Sequence, residues 1–510
     1  MGRENYLCLE RGDEFGKSCT DLRLAADFQK ALSVATTGER IEFADLPEAI
    51  WTKVNASEEA PCAECSRSGT CFVHRARERF RTASHVVVCN HNLFFANLRK
   101  MVAGSESFFQ RPCVIVLDEG HAAEAAAQAI YGIELSSTAG PKRLARAKRF
   151  SRLSADESYA ENISKAIDTL NDLFRHLTKR AIIRNDEEAT RFNIRRDYRL
   201  YQLYQEAVSA MNSIVHQLTI FSHMAGHTET RMITRSMSEI NDIVKVLNHL
   251  FDEANHVSWV EKHGGHYTLH SVPKTMTEIL KEDLSQIHAP IIVCSATLAP
   301  SVDGKKDFDF VKNQLGIFNA AKCKAESPFD YKKNALIYIA TDLPEPAEKE
   351  LFLDAAAQRI EELLKISKGR ALVLFTSHYS LNYVYAKIED RVSCPIYHQC
   401  QAGDVVEKFR SNVHSVLCGT GKFWEGISIE GESLSLAIVV KLPFPAEDPL
   451  VQAKDEDAKK RGEDPFRTVR LPLMLLKLKQ GAGRLIRTTE DKGVIAILDC
   501  RAKTRRYSSE

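Results

Sequence analysis

The feature that most constrains this chain is a set of short, continuous apolar runs that each stop at polar or glycine-rich residues. They are Val86–Cys89, Val114–Leu117, Ile291–Cys294, Leu372–Thr376, Leu436–Val440 and Val494–Leu498. A half-exposed strand would alternate apolar and polar residues. Unbroken runs of this length suit parallel strands covered on both faces. In such sheets the functional groups gather at the C-terminal ends of the strands. A helix is predicted from about Pro346 to Ser367, closed by Gly369 and leading into Leu372–Thr376, an αβ step of a doubly wound sheet.

Two regions depart from this pattern. Residues 1–85 carry little strand signal and an unusual group of cysteines. Residues 126–256 read as helices, with heptad-like apolar spacing in Ile163–Leu177 and Ile240–Phe251. Because strand signals flank it, the helical stretch reads as an insertion, and Val114–Leu117 and Ile291–Cys294 are expected in one sheet. A chain of 510 residues is too long for one core, so two to four domains are expected.

Composition narrows the class further. Hydrophobic residues make up 44% and charged residues 27%, as in a globular protein. No apolar run approaches the ~18 residues of a membrane span. The start, Met1-Gly2-Arg3-Glu4-Asn5-Tyr6, is too polar for a signal peptide. Together these point to a cytoplasmic protein without a membrane partner. Lys and Arg number 69 against 68 Asp and Glu, so any nucleic-acid surface must be local. Thirteen cysteines, an odd number, argue against a disulfide framework. Cys89, Cys113, Cys294 and Cys418 lie in or beside apolar runs and read as core thiols.

Four segments carry chemistry. The run Val114–Leu117 ends in Asp118-Glu119-Gly120-His121, where a first acid can hold Mg²⁺ and a second can orient or deprotonate the attacking water. Ile291–Cys294 ends in Ser295-Ala296-Thr297-Leu298, hydroxyls that can link two sites or cap a helix. Gln480-Gly481-Ala482-Gly483-Arg484-Leu485-Ile486-Arg487 sets two arginines three residues apart, on one face of a predicted helix, where guanidinium groups can stabilise transferring phosphoryl charge. Glycines at 481 and 483 would be costly in a plain surface helix. Gly421-Lys422-Phe423-Trp424-Glu425-Gly426-Ile427 is the fourth, followed by Lys441-Leu442-Pro443-Phe444-Pro445.

Cys62, Cys65 and Cys71 sit close together in a polar loop, and Cys8 lies upstream. Such a loop gives thiols little apolar packing, which favours a metal. Spacing alone leaves zinc, with His74 as a substitute ligand, and an iron–sulfur cluster both open. After Cys71 come Arg75, Arg77, Arg79 and Arg81 with Phe72 and Phe80, and a second basic run covers Lys142, Arg143, Arg146, Lys148, Arg149 and Arg152. Either can be a solvated face or a phosphate-contacting surface.

In their order along the chain, the Asp118–His121, Ser295–Leu298, Phe423–Gly426 and Gln480–Arg487 segments resemble the motor motifs of superfamily 2 helicases, in particular the DinG/XPD-like iron–sulfur group. Asn5-Tyr6-Leu7-Cys8, Val88-Cys89-Asn90-His91-Asn92-Leu93 and Ser327-Pro328-Phe329-Asp330-Tyr331 are similar to further segments of that group. The resemblance runs from residue 2 to about 507. One departure is Ser428, where the group commonly carries an acid.

The resemblance implies an α/β fold: two RecA-like parallel-sheet motor domains with an inserted iron–sulfur domain and a helical arch. The iron–sulfur domain would span 1–85, the first motor domain 86–125 and 262–304, the arch 126–261 and the second motor domain 305–510. It implies ATP with Mg²⁺, bound through Asp118, Glu119, Glu425, Gly426, Arg484 and Arg487. Catalysis would rest on Asp118, Glu119, His121, Gln480, Arg484 and Arg487. It decides the metal for a 4Fe–4S cluster on Cys8, Cys62, Cys65 and Cys71, with Cys19 a free thiol. It further implies 5′→3′ movement on single-stranded DNA, action on branched DNA in repair or replication, and partners among replication or repair proteins.

Such a motor needs G-x-x-x-x-G-K-[ST], whose backbone N–H groups cradle the nucleotide phosphates. The nearest segment, Gly12-Asp13-Glu14-Phe15-Gly16-Lys17-Ser18, has one residue too few between its glycines and no strand before it. In the group the loop precedes the Asn-Tyr-Leu-Cys segment, so the chain is expected to start late and to stop short at its C-terminus. The alternative is a catalytically inactive remnant that binds single-stranded nucleic acid.

Overall fold

The computed structural model describes the chain except residues 1, 57–64, 66, 68, 84, 106, 155–156, 184–190, 264–265, 299–300, 303–304, 307, 402–403, 425–433, 487 and 510. It divides into two compact units, Met1–Val116 with Glu282–Ile292, and Leu117–Lys281 with Val293–Glu510.

The first unit is mainly helical: Leu9–Ser18, Leu22–Val34, Glu48–Val54, Phe72–Thr82 and His91–Val102. Asp21 and Asn90 begin two of these helices by accepting bonds from backbone N–H groups, the usual way such residues satisfy a helix start. A core of Leu7, Phe28, Phe43, Trp51, Val54 and Phe72 ties the segment around Cys8 to the helices. Val86–Cys89, expected as a strand, is not one. It has no ladder partner among the described residues, and Val86 and Val88 are exposed.

Ile115–Leu117 and Ile291–Val293 do form one sheet. Ile115 N–H donates to Pro290 O at 3.0 Å and Cys294 N–H to Leu117 O at 3.0 Å, a parallel pattern. The long intervening segment therefore returns to the strand it left.

That segment, in the second unit, is built on the helices Ala139–Ala147, Ser158–Ile183, Tyr198–Met224 and His227–Phe251. Their apolar stripes meet in one core that includes Leu144, Ile163, Leu170, Leu203, Ile214 and Ile243. It is not purely helical, as the sequence reading had it. An antiparallel sheet runs in the order Ile133–Ser136, His266–Pro273, His256–His263, Arg191–Asn193. Position 261, the expected end of the helical domain, falls inside a strand. Leu135, Val260 and Leu269 from this sheet join the helical core, so the hairpin packs as part of that body.

The rest of the unit carries a six-stranded parallel sheet in the order Ile396–His398, Val416–Gly419, Ala371–Leu374, Leu436–Val439, Gly493–Ile497, Ala335–Ile339. The three strands Val416–Gly419, Ala371–Leu374 and Leu436–Val439 are buried at every position. Ala371 and Val373 enter one apolar core while Leu372 and Leu374 enter the other, as alternation across a doubly covered sheet requires. Helix Lys349–Ser367 feeds Ala371–Leu374 as anticipated. It ends through Lys368 and Gly369, both in the left-handed region at φ 54° and 77°.

Candidate active site between the Asp-Glu and Gln-Gly-Ala-Gly-Arg segments

At the end of Ile115–Leu117 the chain turns sharply. Asp118 Oδ1 accepts from Glu119 N–H at 3.0 Å, and Glu119 adopts φ 49°, a left-handed conformation rare outside glycine. Gly120 N–H then donates to Cys294 O at 3.0 Å. A Cβ on Gly120 would overlap Val293 Cγ1, so glycine is what lets the two strand ends approach. Burial, reinforced by a hydrogen bond to Asp118 and its charge, pushes the Cys294 thiol up.

Four side chains complete the centre. Ser295 Oγ donates to Glu119 Oε2 at 2.6 Å. His121 Nδ1 lies 2.9 Å from Ser295 Oγ and 3.1 Å from Thr297 Oγ1. On its other nitrogen, His121 meets the amide of Gln480. One donor assignment satisfies the set: Gln480 Nε2–H to His121 Nε2, His121 Nδ1–H to Ser295 Oγ, and Ser295 O–H to Glu119. It requires a neutral imidazole with its proton on Nδ1. Three of the four segments singled out by sequence thus contribute Glu119, His121, Ser295 and Gln480 to one chain of hydrogen bonds. Glu119 remains 61% exposed on its side chain, so the carboxylate stays open to solvent.

Of the two glycines near Gln480, Gly481 has a packing reason. A Cβ on Gly481 would sit 2.9 Å from both Leu374 Cδ1 and Trp424 Cε3. Trp424 is fully buried, and its Nε1–H donates to Phe375 O at 2.8 Å. The expectation that Arg484 and Arg487 share a helix face is corrected. The helix is Leu471–Ala482, capped at Gly483, and Arg484 lies in the turn beyond it. Leu485 and Ile486 are drawn into the core there, which ends the helical course. Arg487, Glu425, Gly426 and Ser428 lie outside the described residues.

Sequence reasoning missed a support beside this centre. Glu124, on the helix Ala123–Tyr131 that follows His121, is buried. Its Oε2 accepts from Lys454 Nζ at 2.8 Å and from Gln314 Nε2 at 2.6 Å. Lys454 belongs to the helix Pro449–Lys460, which also meets the antiparallel sheet. There Ala453 packs with Val257, Trp259 and Val272, Arg191 bonds Asp448 at 2.8 Å, and Asn193 bonds Gln452 at 2.7 Å. The only signal was Glu124 standing one helical turn after His121. Asp499 was missed as well. Fully buried at the end of Gly493–Ile497, it accepts from Leu442 N–H at 3.0 Å and takes a two-pronged bond from Arg501.

In the first unit Cys8, Cys65 and Cys71 line one cavity of about 170 Å³ with Arg3, Arg67 and Arg77. Glu10 Oε2 is buried without a hydrogen-bond partner, and a hydrogen bond to Glu10 raises the Cys65 thiol. Among the described residues no three His, Cys, Asp or Glu side chains converge closely enough to hold a metal, and Cys62 lies outside those residues. The core-thiol reading holds for Cys418, which is buried. Cys89 and Cys294 are half-buried and Cys113 is exposed.

Arg75, Arg77, Arg79 and Arg81 are exposed on the helix Phe72–Thr82. The second basic run is partly structural: Arg146 pairs with Glu239 at 3.2 Å and Arg152 with Glu229 at 2.7 Å, acids supplied by a neighbouring helix. No helix among the described residues is long and apolar enough to cross a membrane.

Comparison with known proteins bears on this architecture. Residues 360–510 match the helicase C-terminal domain family. The chain is 29% identical over 531 residues to the ATP-dependent DNA helicase YoaA of Haemophilus influenzae, covering 99% of this chain and 79% of that protein. It is 28% identical to Escherichia coli YoaA, covering 100% and 80%, and 28% identical to the ATP-dependent helicase DinG of Mycobacterium tuberculosis, covering 99% and 78%. Among solved structures, that of S. tokodaii Xpd4 aligns with a TM-score of 0.54 at 15% identity, over 81% of this chain and 78% of that one. The fold is thus an XPD-like helicase fold, α/β with parallel sheets. Within that class the chain is a homologue of the bacterial YoaA and DinG helicases.

Proposed function

We propose that this protein is an ATP-dependent DNA helicase that moves 5′→3′ on single-stranded DNA, carries a 4Fe–4S cluster, and acts on branched DNA during repair or replication in the cytoplasm, alongside replication or repair proteins. The observation that carries the reading is the hydrogen-bond chain Gln480–His121–Ser295–Glu119. A charge or geometry change at Glu119 is felt at Gln480 through two intervening groups, which is what coupling nucleotide state to movement of one lobe requires.

In this reading Asp118 would hold Mg²⁺ and Glu119 would orient the attacking water, its left-handed backbone kept by Gly120 and Ser295. Arg484 and Arg487 neutralise transferring charge, and Glu425 and Gly426 border the nucleotide. Cys8, Cys65 and Cys71 with Cys62 would hold the cluster; the cavity shared by the first three supports the fit. Such a cluster supplies electron-transfer chemistry and a covalent cross-link between distant segments.

The second reading, an inactive single-strand-binding remnant, is favoured by one observation. The 510 residues contain no G-x-x-x-x-G-K-[ST]. Positioning supplies most of the catalysis in phosphoryl transfer. The 510-residue chain alone should therefore bind single-stranded DNA but show almost no DNA-stimulated ATP hydrolysis. A supplied strand–G-x-x-x-x-G-K-[ST]–helix segment should restore it, and Glu119→Gln should abolish it again. Anaerobically purified protein should be brown with four irons per chain. A colourless, zinc-loaded protein would refute the cluster, and failure of the supplied segment to restore turnover would favour the remnant.

A further inference from the structure

The second long helix of the bundle opens with Arg195-Arg196-Asp197-Tyr198-Arg199-Leu200-Tyr201-Gln202-Leu203-Tyr204-Gln205. Leu200 and Leu203 are buried in the bundle core, whereas Tyr198 is 76% exposed and Tyr201 42%. An isolated exposed aromatic needs no explanation. Here two stand on adjacent turns, and the second is held in place. The Tyr201 ring packs edge-on against Phe251 at 5.4 Å and 79° and lies 5.9 Å from the Tyr204 ring, which rests on Phe251 at 4.6 Å. Tyr204 Oη donates to Asn248 Oδ1 at 3.0 Å, and Gln205 Nε2 donates to Tyr201 Oη at 2.9 Å. The order is already present before any ligand arrives.

The charges around the rings are also arranged. Asp197 is engaged by Leu200 N–H at 2.9 Å and by His176 at 3.0 Å. Glu253 is engaged by Arg196 at 2.6 Å. Arg195 and Arg199 are exposed and form no ion pair within 4 Å among the described residues. Rings and arginines occur at protein interfaces too, but here the exposed Arg195 and Arg199 stand beside the rings while the neighbouring acids are already engaged, which favours a phosphate-bearing ligand. Together the rings and arginines match the stacking platforms that hold single strands, where rings take bases and guanidinium groups take phosphates.

We propose that Tyr198, Tyr201, Arg195 and Arg199 form a single-stranded DNA platform on the helical domain, distinct from the Arg75–Arg81 run. The choice of ligand rests on the helicase reading. The test uses the 510-residue chain with a fluorescein-labelled oligothymidylate for affinity and a 2-aminopurine-substituted one for stacking. The Tyr198→Ala, Tyr201→Ala double variant should bind at least about thirtyfold more weakly and lose the 2-aminopurine quench, with an unchanged salt slope. Tyr198→Phe with Tyr201→Phe should keep both. Arg195→Gln with Arg199→Gln should instead reduce the salt slope by about 1.4, two single-strand phosphate contacts. If the unaltered chain binds the oligomer and the alanine variant binds equally well, or keeps its quench, the platform is refuted. If the unaltered chain binds no single strand, the helicase reading fails instead.

Discussion

Removing the Lys454 ammonium tests whether the support beside the candidate active site is energetic or incidental. The Glu124 side chain is 11% exposed and that of Lys454 28%. Losing one partner of a fully buried pair costs about 3–5 kcal/mol, whereas exposed pairs contribute about 0–1 kcal/mol. This pair lies between those limits, and Gln314 continues to bond the carboxylate. Lys454→Met is therefore expected to cost about 2 kcal/mol, which is about thirtyfold in an opening equilibrium. Glu124→Gln should cost about 1 kcal/mol, because Lys454 can turn toward water. In the double variant neither charge is stranded, so its cost should fall below the sum of the two by about 1 kcal/mol. A global unfolding curve would blur this in a chain with several cores. Hydrogen exchange followed by mass spectrometry over Ala123–Tyr131 and Pro449–Lys460 reads the local opening directly. A change under about twofold in Lys454→Met, or strictly additive singles, would show that the contact carries no support.

Trp424→Phe deletes the bond from Nε1–H to Phe375 O at a fully buried site. It should cost about 1–3 kcal/mol by urea titration, and a loss under 0.5 kcal/mol on the order of experimental error would contradict the packing role. Gln480→Ala leaves His121 without its outer partner, so nuclear magnetic resonance should find the His121 ring no longer held as one tautomer; an unchanged ring spectrum would argue against the hydrogen-bond chain. Burial, together with the His256 ring stacked at 3.6 Å and with Lys245, depresses His249 to about 4, against a counteracting Asp252. The unfolded chain then binds more protons between pH 6.5 and 4, so stability of the helical domain should fall as pH drops through that window. His249→Gln should flatten the fall, and a denaturation midpoint equally pH-dependent in both proteins would remove His249 as its source.

Much of the architecture was legible because it is local. Four or five apolar residues in a row specify a doubly covered strand whatever follows, and Leu372–Leu374 and Leu436–Val439 appear where expected. Apolar recurrence every three or four residues likewise specified the helices around Ile163–Leu177 and Ile240–Phe251. The same local pattern misled at Val86–Cys89, since a strand also needs a neighbour to pair with. It was silent on the antiparallel sheet, whose strands His256–His263 and His266–Pro273 carry His and Ser among their apolar residues and gain their stability from pairing with each other.

By itself the sequence determined which residues could do chemistry and roughly where the strands deliver them: Asp118 and Glu119 after one strand, Ser295 after another, Gln480 beside two glycines. Only the tertiary structure decided how they meet. His121 meets Gln480 and Glu124 meets Lys454 across more than three hundred residues, and the helix ends at Ala482 because Leu485 and Ile486 are claimed by the core. Periodicity records which side of an element is apolar, whereas the partner of a polar group is fixed by how separate elements pack, and that is written in no single stretch of chain.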